Sequence, residues 1–210
     1  MKLTILRGIP ASGKSTYAKQ FLIDNPDTVR VNMDSLRLMF RNEAFNNQFE
    51  KLVKHTEIET IKIALSKGFD VIVDDTNLTM KRVKYLIEIA KLFNPEIEVI
   101  TMNTHETICS LRNEKRDTKV PVQCMLDMEV LFNKHVDNID GMLKAKGIKH
   151  TVIESNYKEF SYKVNDNICE TECKINMCKL IGSLSCEWHC SNFISKNEDT
   201  KIVMCTGETP

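Results

Sequence analysis

The sequence predicts an α/β fold, a parallel sheet covered by helices on both faces, and three observations carry that reading. Short β-rich runs alternate with longer helical patterns, a glycine-bearing turn follows the first run, and the composition suits a chain that buries a core. Hydrophobic residues make up 42% and charged residues 28% of the 210 positions, close to ordinary soluble domains, which excludes wholesale disorder. Residues 2–6, 28–32, 69–74, 96–101 and 150–154 read as strands. Residues 49–65 read as a helix, because Phe49, Leu52, Val53, Ile58, Ile61 and Leu65 recur at helical spacing with charges opposite. Residues 80–93 form a second such pattern, 17–23 are helix-capable, and Pro121-Val122 starts a helix running to about residue 143. Strands separated by helices of this length require crossover connections, hence parallel pairing.

Charge and cysteine mark a boundary near residue 155. Residues 1–150 carry 23 Lys+Arg against 20 Asp+Glu, whereas residues 151–210 carry 6 against 9. Six of the eight cysteines crowd the last 42 residues. The expected organisation is therefore a main domain over 1–155, a polar linker over 156–168 and a small acidic, cysteine-rich tail over 169–210. Apolar runs fall far short of the roughly 20 residues a membrane helix needs, and no secretory leader pattern follows Met1, so a cytoplasmic chain with no membrane partner is expected.

The strongest chemical signal is Gly8-Ile9-Pro10-Ala11-Ser12-Gly13-Lys14-Ser15-Thr16, the G-x-x-x-x-G-K-[ST] pattern of a P-loop. Gly8 and Gly13 let the backbone turn its amides inward around a triphosphate. Ser12, Lys14, Ser15 and Thr16 complete the donor site, with Lys14 bridging the β- and γ-phosphates and Ser15 placing its hydroxyl on Mg²⁺. Ligands of open α/β sheets sit outside the carboxyl ends of the strands, so the other strand ends are the next candidates. Asp34 and Arg37 follow the second strand three residues apart, on one face if a helix starts there. An aspartate there can accept a hydroxyl proton while the arginine fork holds a phosphate; the plainer alternative is an N-capping Asp beside an exposed Arg. The third strand ends in Asp74-Asp75-Thr76-Asn77, where one carboxylate suits the Mg²⁺ shell and the other Arg37 or the acceptor, without assignment between them. Arg112, Lys115, Arg116 and Lys119 form a basic cluster, either a solvated surface or a lid whose arginine closes over a transferring phosphoryl group.

Together these segments resemble the 5′-kinase domain of bacteriophage polynucleotide kinase/phosphatases. The resemblance is carried by residues 8–21, 25–37, 71–82 and 106–121, and it covers roughly residues 1–140. Beyond the widely shared P-loop, its narrower marks are Asn-x-Asp-x-x-Arg after the second strand, Asp-Thr-Asn-Leu after the third and Arg-Asn-x-x-Arg in the lid. The resemblance implies ATP with Mg²⁺ as donor and a 5′-hydroxyl end of DNA or RNA as acceptor. It implies Asp34 as general base, Arg37 on the acceptor phosphate supported by Asp75, and Arg116 as the lid arginine with Arg112 as companion. Asn77 is grouped with the acceptor site. The sequence departs from the pattern in three ways. It has no Asp-x-Asp-Gly-Thr phosphatase string, so no 3′-phosphatase is expected. The lid is one residue shorter before Pro121, and Asp117 stands beside Arg116.

In the tail, Cys178, Cys186, Cys190 and Cys205 are the preferred quartet for a structural Zn²⁺, a route to stability for a segment too small for its own core. His189, Cys169 and Cys173 compete as ligands, residues 193–203 suit a hairpin, and unligated thiols are the alternative. Two other functions stay open on sequence: a small P-loop kinase with a nucleoside, sugar or other metabolite as acceptor, and a nucleotide-dependent binding module. The sequence sets neither the oligomeric state nor the donor base.

Overall fold

The computed structural model describes residues 1–41 and 46–154, together with the backbone of residues 193–197 and 202–205. Five strands, β1 (Lys2–Arg7), β2 (Thr28–Val31), β3 (Asp70–Val73), β4 (Glu96–Asn103) and β5 (Lys149–Glu154), form one sheet in the order β2-β3-β1-β4-β5. All four pairings are parallel. The crossovers carry α1 (Lys14–Asp24), α2 (Met33–Arg41), α3 (Glu50–Ser66), α4 (Met80–Lys91), α5 (Glu106–Glu114) and α6 (Val122–Ala145).

Alternation along the strands builds two cores. Leu3, Ile5, Val71, Val73 and Val99 pack with apolar residues of α3, α4 and α6. Leu6, Ile72, Ile100 and Met102 pack with Ala18 of α1, flanked by Tyr17, Phe21 and Leu22. A sheet buried on both faces needs near-continuous apolar strands, as the central β1 and β3 are, whereas the edge strands β2 and β5 carry more polar, less buried residues. A third cluster, Ile9, Leu78, Cys109, Met125 and Phe132, lies between the P-loop and the α5–α6 arm. Beside it the buried guanidinium of Arg7 donates to the Phe132 carbonyl at 3.0 Å and stacks over the Phe132 ring at 4.2 Å.

The expected strands and helices appear with shifts of a few residues. Helix α1 begins at Lys14 rather than near 17, because the left-handed Gly13 (φ 99°) ends the P-loop and lets the chain turn straight into the helix. Strand β4 runs two residues past its expected end, since Met102 and Asn103 pair with Ile153 and Glu154 of β5. The tail strands β6 (Phe193–Asn197) and β7 (Ile202–Cys205) pair antiparallel, as the hairpin expectation has it. Cys169, Cys173, Cys178, Cys186, His189, Cys190 and the Cys205 side chain lie outside the described residues, so the zinc quartet stands as a sequence expectation.

Candidate active site

The P-loop leaves the carboxyl end of β1, whose neighbours β3 and β4 lie on either side, at the switch point where open α/β sheets bind ligands. Gly8 sits at φ 153° with its N–H on the Thr76 carbonyl at 3.0 Å, and a Cβ there would meet Ser12 Oγ at 2.7 Å and the Met102 carbonyl at 2.9 Å. Only glycine fits that backbone. Thr104 Oγ1 braces the loop by donating to the Ser12 carbonyl at 2.9 Å. The first turn of α1 holds no carboxylate, so its positive N-terminal field is left for an anion.

Lys14 Nζ curls into the loop, donating to the Gly8 carbonyl at 2.9 Å, the Ile9 carbonyl at 2.7 Å and Ser12 Oγ at 3.3 Å. Burial pushes the Lys14 ammonium down to about 8, against the opposing pull of Asp74. A triphosphate would add to the counter-charge that Asp74 and Asp75 already set near this cation. Ser15 Oγ donates to Asp74 Oδ1 at 3.3 Å, a hydroxyl and a carboxylate of the hard-oxygen type that Mg²⁺ takes. The fit to a magnesium-bound nucleotide is therefore good. Of the paired aspartates it is Asp74 that faces the P-loop, with its other oxygen held by Arg30 Nε at 3.0 Å.

On the opposite wall, Asn32 caps α2. Its Oδ1 accepts from the Ser35 amide at 2.9 Å while its Nδ2 donates to the Asp74 carbonyl, which ties the start of α2 to the end of β3. That places Asp34 in the first helical turn with its carboxylate 69% exposed, and Arg37 one turn on at 2.5 Å from it. Arg37 also donates Nε to Glu50 Oε1 at 2.7 Å and Nη2 to Glu50 Oε2 at 3.1 Å, a two-point pair with α3. This hydrogen bonding holds the Glu50 carboxyl below its usual range and keeps Arg37 a cation. One cleft of about 900 Å³ is lined by Lys14, Ser15, Asp34, Arg37, Asp74 and Arg116, among others.

The segment expected as a lid is the α5–α6 connection. Buried Asn113 donates Nδ2 to the Val120 carbonyl at 2.8 Å and accepts from the Val120 amide at 3.0 Å. That double bond pins both ends of the loop and leaves Arg116 exposed within it, with Arg112 on the cleft wall.

The profile of the AAA domain family matches residues 3–153. The chain belongs to that family. An L-seryl-tRNA(Sec) kinase of Methanococcus maripaludis is 30% identical over 135 residues, 62% of this chain and 52% of that one. A protein of Autographa californica nuclear polyhedrosis virus, provisionally named a bifunctional polynucleotide kinase/RNA ligase, is 31% identical over 131 residues, 58% of this chain and 19% of that one. A solved Pnkp1/Rnl/Hen1 complex contains a chain 25% identical with a TM-score of 0.50, covering 58% of this chain and 40% of that one. The chain thus spans about half the length of the archaeal relative and about a fifth of the viral one. Within the AAA domain family it is a P-loop kinase, similar to that viral protein and to a chain of the Pnkp1/Rnl/Hen1 complex, and that family implies the use of ATP and Mg²⁺.

In this P-loop kinase the expected residues divide. Gly13, Lys14, Ser15, Thr16, Asp34, Arg37, Asp75, Arg112 and Arg116 line the one cleft. Gly8 and Ser12 lie beneath it, shaping the loop and holding Lys14. Asp75 differs from its expected part: among its described hydrogen bonds none reaches Arg37. Its Oδ1 accepts from the Met33 amide at 3.1 Å, and its side chain faces the buried Glu57. Burial and the Glu57 carboxyl push Asp75 well above the usual carboxylate range, and Glu57 in turn pairs with Arg82. Arg37 takes Glu50 instead, because α3 brings that carboxylate against the outer edge of its fork. Asn77 also differs. Left-handed at φ 44° and buried, it donates Nδ2 to the Leu6 carbonyl at 2.7 Å and accepts from Arg82 Nε at 3.2 Å, so its amide locks β1 to the β3–α4 turn away from the cleft. Asn32 bore a sequence signal, an Asn three residues before Ser35 at a helix start. Glu50, Glu57 and Arg82 bore none, because each is recruited by tertiary contact. Among the described residues no group of three or more His, Cys, Asp or Glu is placed to hold a metal ion, and no helix is long and apolar enough to cross a membrane.

Proposed function

We propose that this P-loop kinase transfers the γ-phosphate of ATP to the 5′-hydroxyl end of a polynucleotide. The observation that carries the reading is the Asp34–Arg37 pair standing in the same cleft as Lys14 and Ser15. The acceptor oxygen forms a bond to the γ-phosphorus as the bond to the β-bridging oxygen breaks, ADP leaves with that electron pair, and the hydroxyl proton passes to Asp34. A phosphate next to the reacting hydroxyl gives Arg37 its ligand. Lys14 exchanges the loop carbonyls for donor phosphate oxygens, and Arg116 closes over the transferring group. Mg²⁺, held at Ser15 and Asp74 when bound, offsets the charge of the phosphates.

A second reading has one observation in its favour, the kinship with an L-seryl-tRNA(Sec) kinase. It keeps the donor machinery and moves the acceptor hydroxyl onto an aminoacylated tRNA. The deciding experiment is transfer of labelled γ-phosphate from ATP to a 5′-hydroxyl oligonucleotide, beside seryl-tRNA, nucleosides and sugars, with Lys14→Ala and Asp34→Ala as controls. Labelling of the oligonucleotide, lost in both variants, is the expected result. Labelling of seryl-tRNA or a small metabolite with the oligonucleotide left bare would overturn the proposal.

A further inference from the structure

Behind Asp75, Glu57 and Arg82 form an ion pair that takes no part in the proposed transfer itself. Glu57, on α3, is fully buried, and its Oε1 accepts from Arg82 Nη2. Arg82 stands in the first turn of α4, with its own amide on the Thr79 cap at 3.2 Å. A cation there opposes the helix dipole, and a buried ion pair is often no more stable than the apolar residues that could replace it. Stability therefore leaves the pair unexplained, whereas its contacts lead to both halves of the cleft. Toward the P-loop, Arg82 Nε donates to Asn77 Oδ1 at 3.2 Å, and Asn77 Nδ2 donates at 2.7 Å to the carbonyl of Leu6, two residues before Gly8. Toward α2, Glu57 faces the Asp75 carboxyl, whose Oδ1 accepts at 3.1 Å from the amide of Met33, the residue before Asp34.

We propose that Arg82 and Glu57 are positioning residues for the transfer step, a strut that sets the start of α2 so that the Asp34 carboxylate meets the acceptor hydroxyl. The inference rests on the proposed role of Asp34 as general base and deepens it. Arg82 suits the part by its planar fork, which reaches Glu57 through Nη2 and Asn77 through Nε at once; a lysine ammonium is a point charge on a flexible stem and does not reproduce that geometry. The P-loop has braces of its own, the Gly8 amide on the Thr76 carbonyl and Thr104 Oγ1 on the Ser12 carbonyl. Loosening the strut should therefore disturb alignment of Asp34 more than binding of the nucleotide, and a misplacement of about 1 Å costs on the order of 10²-fold in rate.

The test measures γ-phosphate transfer from ATP to a 5′-hydroxyl oligonucleotide by wild type, Arg82→Lys and the double variant Glu57→Met/Arg82→Met, each with and without Asp34→Ala. Arg82→Lys keeps a charge opposite Glu57, and the double variant fills the site with apolar side chains, so both should melt close to wild type. Each should lower kcat about ten- to a hundredfold, with the KM of ATP and of the oligonucleotide held within about threefold. Added to Asp34→Ala, each should lower the residual rate less than about twofold, because a residue that acts through Asp34 has nothing left to position. An unchanged kcat in both variants overturns the strut, and so does an equal fold loss with and without Asp34. Loss of cooperative melting in both variants, or a rise in both KM values with a falling melting temperature, also overturns it, because a merely structural role predicts that. An Asp34→Ala variant as active as wild type overturns the general-base reading instead, and failure of wild type to label the oligonucleotide overturns the proposed activity and this role together.

Discussion

The two halves of the cleft, one proposed for the donor and one for the acceptor, are built by different means. On the donor side the working surface is backbone, supplied by consecutive residues: Gly8 in a conformation without room for a Cβ, left-handed Gly13, and Lys14 held by two loop carbonyls. On the side proposed for the acceptor the surface is side chains held by side chains of another helix, as Arg37 is by Glu50. Local backbone geometry tolerates almost no substitution, whereas an ion-pair scaffold can be re-tuned one partner at a time.

That contrast can be broken experimentally, beginning with its largest effect. Asp34→Ala should lower kcat by about 10²–10⁴, the range for loss of a general base, while nucleotide binding persists; a kcat within threefold of wild type would remove Asp34 from the chemistry. Gly8→Ala should destroy donor binding and lower stability by about 1–3 kcal/mol or more, the scale of overpacking and backbone strain. Calorimetric titration with ATP and a melting curve check it. On the acceptor side the response should be graded. Glu50→Gln loosens Arg37 and should raise the acceptor KM about five- to twentyfold, the scale of 1–2 kcal/mol in a partly buried pair, with the ATP KM constant. A matched rise in both KM values would place Glu50 in general stability instead.

Two smaller effects sharpen the comparison. Lys14 is held down to about 8 in the free protein by burial, and bound phosphate favours its charged form. The ammonium is therefore present below that pH and lost above it, so the ATP KM should climb from pH 8 to 9.5 and proton uptake should accompany binding in that window; a flat KM over that range contradicts the burial argument. Asp75→Asn should change least. The amide keeps an acceptor for the Met33 N–H and presents a donor to Glu57, so melting temperature and kcat should hold, while Asp75→Ala, which strands both partners, should cost about 1–3 kcal/mol. Loss of activity in the asparagine variant would return Asp75 to the acceptor chemistry.

The same contrast explains what the sequence discloses. The strand–helix alternation and the P-loop are local patterns, so the sheet, its helices and the positions of Lys14 and Ser15 are legible in one dimension. Asp34 and Arg37 are legible because helical spacing joins them. Which carboxylate supports Arg37 is not, since Asp75 follows β3 while Glu50 arrives from the start of α3, and only packing of that helix decides between them. Asn77 misleads for a related reason: a polar residue at a strand end reads as substrate-facing, yet its left-handed backbone turns the amide inward onto Leu6.

The central claim is that Arg37, oriented by Glu50 beside Asp34, selects an acceptor with a phosphate next to its 5′-hydroxyl. The most direct measurement is phosphorylation of a nucleoside 3′-phosphate against the same nucleoside without its phosphate, by wild type and by Arg37→Ala. The account predicts a wild-type preference of at least about tenfold for the phosphate-bearing acceptor, as one charge-assisted contact supplies, and its collapse in Arg37→Ala. Equal use of the two acceptors by wild type, or a preference that outlasts the arginine, would contradict it.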